Sequence, residues 1–301
     1  MTSTTLLHWA PVAVPHCQLA ESPRFAHGTW SWVDIQAKLF YTQTHGLLST
    51  LPLPDEIGCV LPTPTATHYI ALGRLGMWSI CGTTIQHLLP PPFDSNTQRF
   101  NDGRADALGR IWVSTLVDAR TPASAGLYCI EHGQAKLKVS GLIVGNGLAF
   151  SPDNQFMYLC DTRHRCVWRY EFDCQTGNLG ERTVLKQYTE GTERPDGAAC
   201  TTDGSYWVAI YEGYRLDRFS PEGELIEHIA LPVARPTMPC FGKESGSVVR
   251  VCSAQDDSTH PNHPSFSKAS VIACHTPWQG VAEAWAESAR CLQPSGSHSA
   301  R

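Results

Sequence analysis

No run of Lys or Arg occurs anywhere in the 301 residues, only 17% of them are charged, and the net charge is −5. The sequence therefore signals no basic patch of the kind that neutralises phosphates, which argues against nucleic acid as a main partner. Uncharged stretches are interrupted by Pro, Gly and His, so nothing reads as a membrane span. The opening MTSTTLLHWAPVAVPH has neither a positive leader nor a clean apolar stretch, which argues against a signal peptide. The 12 cysteines never form Cys-x-x-Cys, so neither a structural zinc site nor a disulfide framework is signalled. They are expected reduced and buried, as in Tyr158-Leu159-Cys160 and Val251-Cys252-Ser253, and the expected compartment is cytoplasmic. A Walker loop, a G-x-S-x-G elbow, H-E-x-x-H and a dinucleotide fingerprint are also absent, which removes the usual signatures of NTPases, serine hydrolases, zincins and NAD enzymes.

Long helical periodicity is nearly missing too. What the sequence has instead is short runs rich in Val, Ile, Tyr and Trp, separated by Gly, Pro, Asp and Asn, the pattern of many short strands. Three segments superimpose: Asp102-Gly103 to Trp112-Val113, Asn146-Gly147 to Tyr158-Leu159, and Asp196-Gly197 to Trp207-Val208. Each reads as Asx-Gly, a strand, a turn and an aromatic-bearing strand. Their starts lie 44 and 50 positions apart, the length of a four-stranded propeller blade. Weaker copies precede and follow them, giving six units. The predicted fold is all-β: a six-bladed β-propeller of four-stranded antiparallel blades around a central channel. It forms a single domain over residues 1–301, with an ordered core from about 15 to 290 and a frayed tail at 291–301. Residues 256–268 are expected as an exposed loop, and Val281 to Arg290 as a short helix or a strand.

In a propeller the innermost strand of each blade lines the channel, and these strands run the same way, so equivalent positions converge at one mouth. The repeat predicts Asp102, Asn146 and Asp196 there, with Asn101 adjacent, and Glu21 of the first unit reaching the same place. Carboxylates with amide oxygens are hard ligands suited to calcium, magnesium or manganese, and tolerable for zinc. Asx-Gly is also ordinary turn chemistry, so on pattern alone a metal site and a row of turns stand as equal alternatives.

The motifs Leu19-Ala-Glu-Ser-Pro23, Arg99-Phe-Asn-Asp-Gly103, Asn146-Gly-Leu-Ala-Phe-Ser-Pro-Asp153, Pro195-Asp-Gly197 and Cys240-Phe-Gly242 occur in one order. In them the chain resembles the senescence-marker-protein/gluconolactonase/luciferin-regenerating-enzyme family of sugar lactonases, over roughly residues 15 to 255. The resemblance implies a six-bladed propeller with one divalent metal ion (calcium, zinc, manganese or magnesium) held by Glu21, Asn146 and Asp196. It also implies substrate contacts from Arg99 and Asn101, and Asp118 is the local candidate for an acidic contact. The family's usual glycines beside its metal-binding Glu are here Ala20 and Ser22, and Ser22 is expected to narrow the mouth slightly. Ser114-Thr115-Leu116 stands where Gly-Thr-Met is usual.

The implied activity is hydrolysis of a sugar (aldono-) lactone, with the metal polarising the carbonyl and Asp196 assisting attack by water. Glu21 is then chiefly a ligand, and Arg99 offers a planar donor fork to the sugar. An ester or organophosphate hydrolase on the same site, and a non-catalytic ligand-binding propeller, are the alternatives. Trp30 and Trp32 are expected in the blade core, Asp161 as a hydrogen-bond acceptor at a strand end, and His164, His260 and His263 on the surface.

Overall fold

The computed structural model describes residues 7–256, 266 and 269–287; His260, His263 and the 291–301 tail lie outside them. Among the described residues there is no α-helix, and 24 strands, β1 to β24 in chain order, form six four-stranded antiparallel sheets. The protein is a six-bladed β-propeller. The innermost strands of blades I to VI are β2 (Ala20–Ala26), β6 (Ile57–Pro62), β10 (Gln98–Ala105), β14 (Gly145–Phe150), β18 (Arg194–Cys200) and β22 (Pro236–Glu244). No helix is long and apolar enough to cross a membrane among the described residues.

The apolar side chains divide into six clusters, each filling the gap between two neighbouring blades. Strands in the middle of a blade are covered on both faces, which is why β11 (Ile111–Val117) is buried along its whole length, Ser114 and Thr115 included. Trp112 on that strand packs edge-on against Phe150 and Phe172 of the next blade. Outermost strands such as β17 (Asn178–Gln187) are mostly exposed and polar. Trp30 and Trp32 are blade core, each 2% exposed.

The ring closes across the chain ends. Blade VI takes three strands from the C-terminal side and its outermost strand, β1 (Ala10–Pro11), from the N-terminal side. Ala10 and Pro11 pair with Ala273 and Ile272 of β24 (Val271–His275). Two residues are too short a run to announce themselves as a strand in the sequence.

Beyond Gly280, where either a helix or a strand was expected, residues 281–287 form neither. They run as a strap across the channel end opposite the Asx-rich mouth. Val281 donates its N–H to Cys200 O at 3.1 Å, Ala286 to Pro62 O at 3.0 Å and Glu287 to Gly109 O at 3.3 Å, tying blades V, II and III together. Backbone partners from other blades outweigh the helix propensity of Ala and Glu. Glu283 is paired with Arg104 at 2.9 Å, both largely buried. Above this pair the channel is filled by Arg24, fully buried, whose guanidinium donates to Val60 O at 3.1 Å and Gly103 O at 2.6 Å.

Ser22 does not narrow the mouth. It is 1% exposed, adopts φ 52°, and its hydroxyl accepts from Val60 N at 3.0 Å across the gap to blade II. Alanine and glycine would both leave the Val60 N–H without this acceptor, but only glycine also relieves the left-handed backbone. We expect Ser22→Ala to cost about 2 kcal/mol and Ser22→Gly less, so that urea midpoints fall in the order Ser, Gly, Ala.

None of the eleven described cysteines forms a disulfide; nine are buried, and Cys81 is exposed.

Candidate active site

Four inner strands carry a one-residue β-bulge at the same level, between Glu21 and Arg24, Phe100 and Gly103, Asn146 and Ala149, and Pro195 and Ala198. A bulge re-aims side chains that the pleat would otherwise alternate. Glu21 and Asn146 are the last paired residues before their bulges, and Asn101 and Asp196 lie inside theirs. The pattern corrects the repeat alignment. Asp102 is one step further along than Asp196 and two further than Asn146, so the three Asx-Gly pairs are not equivalent. Asp102 turns down the channel, where its Oδ2 accepts from Leu148 N at 2.8 Å.

At the level of the bulges a cavity of about 480 Å³ opens, and Glu21, Arg99, Asn101, Asn146 and Asp196 all line it. Asp118 is not among its lining residues. It is held outside by a two-pronged pair with Arg74, at 2.8 and 3.0 Å, which keeps its carboxyl below the usual range. Close approach of blade II fixes Asn101 from behind: a Cβ on Gly58 would lie 2.6 Å from Asn101 O.

The polar groups form a directed relay. Arg99 Nη1 donates to Asn101 Oδ1 at 2.8 Å, and Asn101 Nδ2 to Asn146 Oδ1 at 2.9 Å. Asn146 Nδ2 donates to Thr162 Oγ1 at 2.9 Å, and that hydroxyl to Pro195 O at 2.8 Å. With its NH₂ committed to Thr162, Asn146 presents its oxygen to the cavity, with one lone pair still available. Asp161 is structural: fully buried, it accepts from the backbone N–H groups of Ile143, Arg163 and His164.

Neither Glu21 nor Asp196 takes a hydrogen bond from a side chain among the described residues; Glu21 Oε2 accepts from Ser22 N at 3.1 Å. Burial, then the charges of Asp196 and Asp102, push the Glu21 carboxyl well up. Burial and then Asp102 push Asp196 up as well. Asp102 Oδ1 is buried without a partner. Like-charged, donor-poor carboxylates beside an oriented amide oxygen suit a hard divalent cation, which would supply what each of them is missing. The donor set therefore fits such an ion. Among the described residues no three His, Cys, Asp or Glu side chains form a metal-binding group; the set here is two carboxylates and an amide.

Sequence reasoning singled out Arg99 but not the four arginines that accompany it. Arg120, Arg163, Arg194 and Arg235 line the same cavity as Arg99, with Tyr211 between Arg194 and Arg235. They stand in or beside connecting loops, where no periodicity marks them.

Residues 19–255 match the family profile described as the SMP-30/Gluconolactonase/LRE-like region. A 6-deoxy-6-sulfogluconolactonase of Pseudomonas putida is 36% identical over 75% of this chain and 79% of its own. Human regucalcin is 31% identical, over 80% of this chain and 85% of its own. Among solved structures, the calcium-binding protein regucalcin from Agrobacterium tumefaciens superimposes with a TM-score of 0.88 at 20% identity, over 95% of this chain and 100% of that one; at that identity the likeness concerns the fold.

Proposed function

From the membership of this chain in the SMP-30/gluconolactonase/LRE-like family, we propose that it is a metal-dependent lactonase opening a sugar lactone to the aldonic acid. The observation that carries this reading is the convergence of Glu21, Asp196 and Asn146 on one cavity beside Arg99. Family relatives named for lactonase activity support it. Glu21, Asn146 and Asp196 would hold a divalent ion, for which oxygen ligands favour calcium, magnesium or manganese and admit zinc. Such an ion supplies Lewis acidity and lowers the pKa of nearby water.

The chain's own residues account for the remaining tasks. Asp196, whose burial favours holding a proton, accepts the proton of the attacking water as the water oxygen bonds to the lactone carbonyl carbon. The ring C–O bond then breaks and the ring oxygen leaves as a hydroxyl, taking that proton back from Asp196. Glu21 balances positive charge. Arg99 is buried and fixed by Phe100 O and Asn101 Oδ1, so it orients substrate oxygens without first having to be ordered. Burial, followed by the neighbouring Arg120 charge, brings its pKa down to about 10.

The test is a panel of five- and six-membered lactones, esters and an organophosphate triester, read by proton release with each divalent ion in turn. Ring opening that stops on chelation and returns with one ion is expected. Lactone turnover that is indifferent to chelator would remove the metal from the reading, and a panel with no turnover would remove the enzyme.

A further inference from the structure

The cavity mouth is strongly cationic on a protein whose net charge is −5. Two carboxylates, Glu21 and Asp196, face five guanidiniums across one cavity. On the blade V side Glu212 offsets part of this, with Arg194 at 3.2 Å and Arg235 at 3.8 Å. On the blade III and IV side Arg99, Arg120 and Arg163 form no ion pair among the described residues, and Asp118, whose charge reaches Arg120, is itself held by Arg74. Arg120 is half-buried in the turn after β11, at φ 60°, a backbone conformation that costs a non-glycine residue about 1 kcal/mol. Arg163 follows Thr162, whose hydroxyl meets Asn146, so its backbone leaves from the edge of the candidate metal centre.

One solvated arginine needs no partner. Three that converge, one of them buried, repel each other, and burial together with the Arg163 charge weakens the hold of Arg120 on its proton. A divalent ion at Glu21 and Asp196 would add to the excess. A neutral lactone cannot offset it, and ring opening yields one carboxylate, placed where the carbonyl was. The arrangement calls for an anion elsewhere on the substrate.

We propose that the substrate is an anionic lactone, carrying a sulfonate, phosphate or carboxylate on the carbon remote from its carbonyl, and that Arg120 and Arg163 bind that group. This rests on the lactonase reading above. Guanidinium forks match tetrahedral and planar oxyanions equally well, so the three anions share one recognition chemistry.

The experiment compares kcat/KM for a neutral six-membered aldonolactone with its counterparts bearing a terminal sulfonate, phosphate or carboxylate, using metal-loaded protein. A charge-assisted contact in a partly open site is worth roughly tenfold, so the wild type should favour at least one charged lactone by about that factor or more. The preference should shrink as salt is raised. In Arg120→Gln and in Arg163→Gln the charged-to-neutral ratio should fall about tenfold, mainly through KM, with melting temperatures confirming the fold. The ranking of the three lactones identifies the anion. Equal or better turnover of the neutral lactone by the wild type overturns the proposal while leaving the lactonase reading standing, as does a ratio unmoved in both variants. Turnover of no lactone at all overturns both.

Discussion

Asp196→Asn should lower kcat/KM for the lactone by about 10³-fold, within the range attributed to a positioned general base, while the protein keeps its far-ultraviolet spectrum. Asparagine matches the shape of the side chain but cannot take the proton of water or contribute negative charge to a bound cation. A stability measurement separates this from simple damage. In protein stripped of metal, the Asp196 carboxyl is held above its ordinary value, chiefly by burial and then by Asp102. A carboxyl with a raised folded pKa binds its proton more tightly folded than unfolded. Folding is therefore favoured below the unfolded value of about 4, and that advantage is lost as pH rises through the folded value. Stripped wild type should lose stability over that window, and Asp196→Asn should lose less. At about pH 8 the inactive variant should melt higher than the stripped wild type. Added divalent ion should raise the wild-type melting temperature by mass action and leave the variant nearly unmoved. A variant that is both inactive and less stable than the stripped wild type would point to structural loss and count against the assignment.

The second large effect concerns stability alone. Asp106 is 1% exposed and takes four hydrogen bonds. Its Oδ1 accepts from Leu108 N at 3.0 Å and Arg110 N at 3.1 Å, and its Oδ2 from Arg110 Nε at 2.6 Å and Trp112 Nε1 at 2.9 Å. One carboxylate thus closes the turn between the two inner strands of blade III, neutralises a buried guanidinium and anchors the indole at the blade III–IV interface. Asp106→Ala leaves that guanidinium buried and uncompensated, which costs about 3–5 kcal/mol. The pair formed by Arg74 and Asp118 looks as good by distance, at 2.8 Å, but the Asp118 side chain is 41% exposed. Breaking it with Asp118→Ala should cost about 1 kcal/mol or less. Chemical denaturation of the two variants side by side checks the contrast. Near-equal losses would mean that desolvation is not what separates them.

Much of this fold is legible in the sequence because blades III, IV and V repeat one local program, a Gly-bearing inner strand, a tight turn and an aromatic strand, and the other blades carry weaker copies of it. The site is legible to a lesser degree. Asn146 and Asp196 sit in the repeat and in the family motifs, and both line the cavity. Asp102 looks their equal as a dipeptide, yet a bulge shifts register by one residue, and one residue is enough to turn a side chain from the mouth into the channel. Arg120, Arg163, Arg194 and Arg235 escape for another reason: they lie in or beside connecting loops, whose positions depend on the blades that carry them. β1 and the strap are fixed wholly by partners far away in the chain, so no local pattern could announce either.

That strap has a kinetic meaning. With residues 281–287 across one end, and Arg24 and the Arg104–Glu283 pair filling the bore, the propeller is a blind well and not a tube. Whatever enters must leave by the opening it came through. On the proposed lactonase reading, the opened acid leaves past the arginines, through the same mouth that admits the next ring. A through-channel would let a charged product drain away behind the incoming molecule. Here each turnover is a round trip.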